Sequence, residues 1–427
     1  MNIPLIVFVL GFACIFLLRL PIALGLLVNA ILYMILAGLD ISLAAGQLLS
    51  NLFSRYIIIA VPLFVFTANV MNTGKVTEIL FGFANGLVGR YRGGMGHVNV
   101  VASFIFSGMT GSAVADASGL GMMEIEAMKK YGYDPGFSCA VTAASATIGP
   151  IFPPSIPMVF YAMLSGTSIG ALFLGGMVPG VLLGLSLMAY IAYIANRRGY
   201  PKGERYSPKQ FLRMTFRSLP ALFTPVILLG GIYTGVVTPT EAGALAGFYA
   251  LVISILVYRS LGPKGLWDVV ASTVKTTGSL SLIVGAAFTS AYVVGVENIG
   301  DYVAQGLLTI TENKYVLFFL INIIFLLLGM FIDTSTITVV FIPIMLPLVE
   351  ALGIDLVHFG VIVVLNMMIG LSTPPFGVLL FIVSGISDTP LGSVIREILP
   401  MILVMIALLF FLTYVPEVVL FIPNLAG

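Results

Sequence analysis

The sequence predicts an all-α polytopic membrane protein built from two inverted-topology repeats, and three observations carry that prediction. Of the 427 residues, 59% are hydrophobic and 9% are charged, where soluble domains average about a quarter charged. Proline interrupts an apolar helix at two matched places: GPIFPPSIP from Gly149 to Pro157, and GLSTPP from Gly370 to Pro375. At a shift of 221 residues, Gly149, Pro153 and Pro154 meet Gly370, Pro374 and Pro375. Finally, the one long hydrophilic segment, residues 196–218, holds Arg197, Arg198, Lys202, Arg205, Lys209, Arg213 and Arg217 with few acids. The positive-inside rule places it in the cytoplasm, as a linker between the halves.

Taken in order, the first repeat occupies residues 1–195. Spans are expected near 3–18, 20–38, 56–73 and 76–89, from the length of apolar chain a bilayer needs. The N-terminus lacks the basic region of a cleaved leader, so residues 3–18 are read as a retained span. A stretch at about 97–128 is apolar at both ends, but its centre, Ser107 to Gly119, reads SGMTGSAVADASG. It is expected to enter the membrane and turn back as a re-entrant hairpin. A broken helix follows at about 137–164, because proline lacks the N–H and clashes with the preceding turn. A span at 171–195 closes the half.

The second repeat, residues 219–427, repeats this plan. Spans are expected at 219–236, 240–258 and 278–296, a hairpin at about 316–350 with DTSTIT (Asp333 to Thr338) at its tip, a broken helix at about 357–384, and a last span at 400–422. Aligning Gly108–Pro179 with Gly329–Pro400 needs no gap and gives ten identities in seventy-two positions. That number is close to chance, but the matches fall on structural punctuation: Gly108/Gly329, Gly132/Gly353, Asp134/Asp355, Gly149/Gly370 and the paired prolines. Flanking charge fits inversion. Arg90, Arg92, Lys129 and Lys130 border the first hairpin, which should open from the cytoplasm, whereas Lys314, Glu312 and Glu350 border the second. Residues 41–54 and 262–275 are less apolar, and read either as interfacial helices or as surface loops, with the one tryptophan, Trp267, at such a boundary.

Two broken helices at corresponding places mark a transporter's binding site, because unpaired backbone is tolerated in a membrane only where it lines a cavity or packs on protein. Hydroxyls, carbonyls and helix ends from tips and breaks would then form an oxygen cage suited to sodium. The sodium candidates are Ser107, Gly108, Thr110, Ser112, Ser145, Thr147 and Gly149 in the first half, and Asp333, Thr334, Ser335, Thr336, Asn366, Gly370 and Thr373 in the second. Ser112, Asp116, Pro153, Pro154, Ser335, Pro374 and Pro375 are the candidates facing substrate. A carboxylate at mid-bilayer costs about 2.5 to 3.5 kcal/mol on insertion scales, so Asp116 and Asp333 need an ion, a helix N-terminus or a proton to offset it. Neither tip nor break contains a lysine or arginine, so an anion there would be held by hydroxyls, by half-helix N-termini and by co-bound cations.

Other classes find less support. The net charge of +1 and scattered cations give a nucleic acid nothing to grip. Cys14 and Cys139 form no CxxC set and read as packing residues. A membrane aspartyl protease would show a GxGD arrangement, a membrane serine protease a serine facing histidine within the bilayer, and His97 and His358 lie near membrane boundaries. No GxxxxGK[ST] loop is present, so energy would come from an ion gradient or a partner.

Four motifs, GSAVADASGLG (Gly111–Gly121), GPIFPPSIPMVFYA (Gly149–Ala162), VTPTEAGALA (Val237–Ala246) and STPPFGVLLF (Ser372–Phe381), resemble those of the large membrane subunit of tripartite ATP-independent periplasmic (TRAP) transporters. The resemblance covers essentially the whole chain. It implies a sodium-driven secondary importer of organic acids in the bacterial inner membrane, multi-pass, working as an elevator in which hairpins and broken helices move against a scaffold. It implies two partners, a periplasmic substrate-binding protein and a small four-helix membrane subunit, the latter expected as a separate chain. Sialic acid is the leading substrate expectation and a C4-dicarboxylate the next. Sodium acts as coupling ion, with no cofactor, and a stand-alone sodium/carboxylate carrier or an intramembrane enzyme are the alternatives.

Overall fold

A computed structural model describes residues 3–18, 20–54, 56–72, 74–203 and 205–426. Helix dominates, and the described residues form no strand beyond one isolated antiparallel bridge between Arg92 and Lys202. The first half opens with α1 (Ile3–Leu17), α2 (Ile22–Leu36), α3 (Ser42–Ser54), a 3₁₀ turn (Tyr56–Ile59), α4 (Ala60–Met71) and α5 (Gly74–Val88). Next come α6 (Gly94–Thr110), α7 (Ala113–Gly119) and α8 (Gly121–Lys130), then α9 (Pro135–Ala146) and α10 (Ile156–Ser165) on either side of the first proline stretch, and α11 (Ile169–Arg198). The second half comprises α12 (Pro208–Tyr233), α13 (Pro239–Val252) with a π turn (Ile253–Val257), α14 (Pro263–Val296), α15 (Ile299–Ile310), α16 (Lys314–Phe331), α17 (Thr334–Ala351), α18 (Leu356–Leu371), α19 (Val378–Ser387), α20 (Leu391–Tyr414) and α21 (Pro416–Ala426).

Helix boundaries follow local chemistry. Ser155, Ser168, Asn313 and Asp355 each cap the helix that follows by accepting its free amides, and Ser207 with Gln210 and Thr238 with Glu241 form complete capping boxes. Gly166 and Gly199 close α10 and α11 in the left-handed conformation that glycine adopts without strain. At the 221-residue shift, the bounds of α17 fall on the start of α7 and the end of α8, the end of α16 falls on that of α6, and the start of α18 on that of α9. The halves differ elsewhere. The axis bends by 70° between α3 and the segment Tyr56–Met71, whereas α14 runs through the matching positions as one helix of 34 residues. Residues 263–275 are therefore the first turns of α14 and not a separate surface helix.

Among the described residues, seven helices are long and apolar enough to cross a bilayer, or eight if the bent α3–α4 pair counts as one. The expected spans 3–18, 20–38 and 76–89 are not among them: α1 and α2 are apolar but 15 residues long, and α5, equally short, carries Lys75, Glu78 and Asn85. The segment expected as a linker at 196–218 is helical at both ends, since α11 reaches Arg198 and α12 begins at Pro208. By length and composition α16 and α17 could each cross. The core lies around the proline-flanked helices. Residues 136–146 of α9 and 358–371 of α18 are all buried, while α12 and α14 present many apolar side chains outward. Lipid is as apolar as leucine, so close approach rather than hydrophobic transfer holds such helices together. α16 and α18 meet backbone to backbone: a Cβ on Gly370 would lie 2.7 Å from the Gly329 Cα.

At the basic end, Arg198 bridges Asp134 at 3.2 Å and Glu397 at 2.8 Å, tying the end of α11 to the start of α9 and to α20. The Tyr200 hydroxyl donates to Asp134 at 2.6 Å. Burial, with that bond to Asp134, raises the pKa of the phenol, so it stays a donor.

Candidate functional site

The turns at Gly111–Ser112 and Ile332–Asp333 face a common cavity of about 220 Å³. Thr110, Gly111 and Ser112 line it from the first turn and Asp333, Thr334 and Ser335 from the second; Pro150, Ile156 and Pro157 come from the first break, and Met368 and Leu371 from the end of α18. The opposite wall belongs to α4 and α14, with Asn69, Thr276 and Leu280. Asn69 also donates to the Thr273 hydroxyl at 2.9 Å, which fixes α4 against α14.

Local chemistry sets each turn. Gly111 has φ of 60°, and a Cβ there would stand 2.6 Å from the Pro154 carbonyl oxygen, so only glycine lets the first turn rest on the broken segment. The Ile156 amide donates to the Gly111 carbonyl at 3.4 Å across that contact. Ser112 caps α7 by accepting from the Ala115 amide. Asp333, at the matching position, caps α17: its carboxylate accepts from the Ser335 amide at 2.9 Å, the Thr336 amide at 3.4 Å and the Thr336 hydroxyl. A carboxylate at a helix N-terminus meets the positive end of the dipole, which offsets part of its cost in the membrane.

Several anticipated residues support the cavity without lining it. The Ser107 hydroxyl donates to the Phe104 carbonyl at 2.6 Å, and Gly108 lies against Pro225 of α12. Ser145 donates to Asn99 Oδ1 at 2.7 Å and shares a 3.1 Å hydrogen bond with Ser103. Thr147 and Thr373 donate to the preceding helical turn, at Ala144 and Ile369. Gly149 backs onto the start of α7, and Gly370 is pressed on Gly329. Asn366 donates to the Asn322 carbonyl at 2.8 Å and to its Oδ1 at 2.9 Å.

Pro153, Pro154, Pro374 and Pro375 do not reach the cavity wall. Both pairs carry cis peptide bonds, and Pro150 and Pro157 provide the proline surface. Asp116 does not reach it either. α7 turns this residue inward, where it is 2% exposed and neither carboxylate oxygen has a hydrogen-bond partner on the protein. Glu124 of α8, 1% exposed, likewise leaves Oε1 unpartnered.

Sequence reading passed over Asn69, Thr276, Asn322 and Glu124. A lone asparagine inside an apolar run was the available signal for Asn69 and Asn322; Glu124 was masked by the charges that surround it in EIEAMKK.

The cavity thus offers hydroxyls, backbone and one capped carboxylate, and none of its described lining residues is lysine, arginine or histidine. On the cavity wall, Thr110 Oγ1 and Thr334 Oγ1 are buried oxygens without a protein partner, and Asn366 Oδ1, behind the wall, is another. Burying such atoms costs free energy unless something bonds them. A hard monovalent cation, which takes oxygen ligands, fits this donor set.

Comparison with known proteins gives a consistent result. The family described as the tripartite ATP-independent periplasmic transporter, DctM component, matches residues 9–418. The sialic acid TRAP transporter large permease protein SiaM of Vibrio cholerae serotype O1 is 41% identical over 95% of both chains. The C4-dicarboxylate TRAP transporter large permease protein DctM of Pseudomonas aeruginosa is 37% identical over 87% of both. The sialic acid TRAP transporter permease protein SiaT of Haemophilus influenzae is 37% identical over 95% of this chain, which spans 66% of that longer relative.

Proposed function

Because the chain belongs to the DctM component family of the tripartite ATP-independent periplasmic transporters, as a multi-pass protein of the bacterial inner membrane, we propose that it carries an organic acid anion inward in symport with sodium. Its relatives are permeases, which sets the enzyme readings aside. The observation that carries the proposal is the cavity shared by both hairpin turns, rich in oxygen and with no cationic side chain among its described lining residues. An anion entering such a site meets Asp333 and no opposing charge. Sodium bound beside Asp333, Thr110 and Thr334 supplies the missing positive charge, so the two solutes bind together.

The matching helix bounds in the two halves support inverted repeats, with α6–α8 and α16–α17 as re-entrant hairpins. The elevator reading has the hairpins and the helices at the breaks moving against a scaffold formed by α4 and α14. A cavity of about 220 Å³ is smaller than the roughly 300 to 1,000 Å³ usual for ligand pockets, so a sugar acid needs the turns to part. Sialic acid is the substrate proposed first and a C4-dicarboxylate second, after the relatives' names. A periplasmic binding protein delivers the solute, and a small membrane subunit completes the assembly.

The deciding experiment is uptake of labelled sialic acid by proteoliposomes that hold this chain with the small subunit, with and without the binding protein and an inward sodium gradient. Accumulation is expected only with both. Uptake of dicarboxylate in place of sialic acid would change the substrate alone. Uptake without the binding protein would make the chain a stand-alone carrier, and no transport under any gradient would overturn the proposal. Topology is tested separately. With Cys14 and Cys139 replaced, single cysteines near Lys202 and near Asn424 should react with impermeant reagent from opposite sides, and labelling from one side alone refutes inversion.

A further inference from the structure

At the basic end of the molecule, away from the shared cavity, a second cavity of about 950 Å³ is lined by Arg90, Arg92, Lys202 and Arg205 together with Tyr91 and Tyr206. We propose that it binds the phosphate-bearing headgroup of an anionic phospholipid. None of its described lining residues is acidic. Among the described residues, the ion pairs are those of Arg198, so no described carboxylate pairs with any of these four cations. Arg92 is steadied by Asn196 Oδ1 at 3.4 Å and Arg90 by the Tyr91 hydroxyl at 3.0 Å, neutral contacts that orient the guanidinium groups without neutralising them.

The walls are held in place by backbone. Arg92 and Lys202 face each other in the antiparallel bridge, the Gly93 amide donates to the Pro201 carbonyl at 3.3 Å, and the Gly203 amide to the Gly89 carbonyl at 3.0 Å. Two segments far apart in sequence thus present their cations to one space. Arginine matches phosphate geometry with its planar fork, and basic pockets beside membrane helices recognise anionic headgroups.

Surroundings favour a lipid over free phosphate. Leu87 and Phe211 also line the cavity, and Leu212 and Phe216 continue outward along α12 at 55% and 65% exposed. A headgroup seated among the arginines leaves its acyl chains along that apolar strip. A free phosphate would make no use of it.

The test is thermal unfolding of the delipidated assembly, as purified from membranes, with added phosphatidylglycerol, phosphatidylcholine or inorganic phosphate. Phosphatidylglycerol is expected to raise the midpoint in a saturable way, and phosphatidylcholine and phosphate to leave it unchanged. The double variant Arg92→Gln, Arg205→Gln should lose roughly thirtyfold in phosphatidylglycerol affinity, about 2 kcal/mol at about 1 kcal/mol for each cation near an anionic surface. The pair Lys264→Gln, Lys275→Gln, with the same loss of charge on exposed α14 positions, should bind as the unaltered protein does. Equal effects of the two lipids, unchanged affinity in the Arg92/Arg205 variant, or saturation by inorganic phosphate alone would each overturn the proposal. If that variant does not fold, native mass spectrometry of the unaltered assembly decides: phosphatidylglycerol retained over phosphatidylcholine supports the site, and equal retention refutes it.

Discussion

Asp333→Asn is expected to move the sodium concentration for half-maximal uptake upward by about ten to a hundredfold while leaving the thermal midpoint close to that of the unaltered protein. The carboxylate has two roles in the structure. It caps α17 by accepting the amides of Ser335 and Thr336, and it is the one charged group among the described residues on the wall of the shared cavity. Asparagine is as good an N-cap as aspartate, so the substitution keeps the helix start and removes the charge. A contact with a charged group contributes about 1.5 to 3 kcal/mol, and about 1.4 kcal/mol is tenfold in an equilibrium. Asp333→Ala removes both roles, and should add about 1 kcal/mol of destabilisation from the lost cap. If Asp333→Asn transports with ordinary sodium dependence, Asp333 lies outside the coupling site and its role is capping alone.

Gly370→Val is expected to abolish uptake and to lower the thermal midpoint. A Cβ at this position would meet the Gly329 Cα at 2.7 Å, its carbonyl carbon at 2.8 Å and the Leu326 carbonyl oxygen at 3.0 Å. All three are backbone atoms, so no rotamer change relieves the clash. α16 must move off α18, which forms the floor of the cavity at Met368 and Leu371. Overpacking of this kind costs about 1 to 3 kcal/mol, and more where nothing can yield. Gly385→Val on α19 is the control, since nothing stands within 4 Å of a Cβ there. Normal uptake by Gly370→Val would mean that the α16–α18 contact is dispensable.

Much of the architecture was readable in the sequence because proline and glycine act locally. α9 ends at Ala146 and α18 at Leu371, beside the two proline stretches, and Gly111 and Asp333 stand at turns because one adopts a positive φ and the other accepts free amides. Composition announced the apolar helices for the same reason. The cavity wall was less legible. Ser112 and Ser335 line it, but Asp116, four residues after Ser112, does not, because the short helix α7 rotates it into the protein. That rotation depends on how α7 packs against α9 and α19, which residue types do not reveal. Asn69 was missed because α4 reads as an ordinary apolar helix, and Thr276 because it falls between the less apolar segment 262–275 and the span expected at 278–296; only the fold brings them opposite the turns. The single helix α14 against the bent α3–α4 pair was equally hidden, since matched positions in the two halves carry unlike residues.

That no described residue lining the shared cavity is cationic has a consequence for leakage. A carrier with its own arginine at the site can seat an anion alone, and so can run backwards, losing accumulated substrate whenever the driving gradient fails. Here the counter-charge arrives with the ion under the proposed coupling. With sodium scarce on the inner side, anion re-entry into the cavity from the cytoplasm is disfavoured by Asp333. Under that proposed coupling, the same omission would tie uptake to sodium and slow efflux while inner sodium is low, without any moving gate devoted to that purpose.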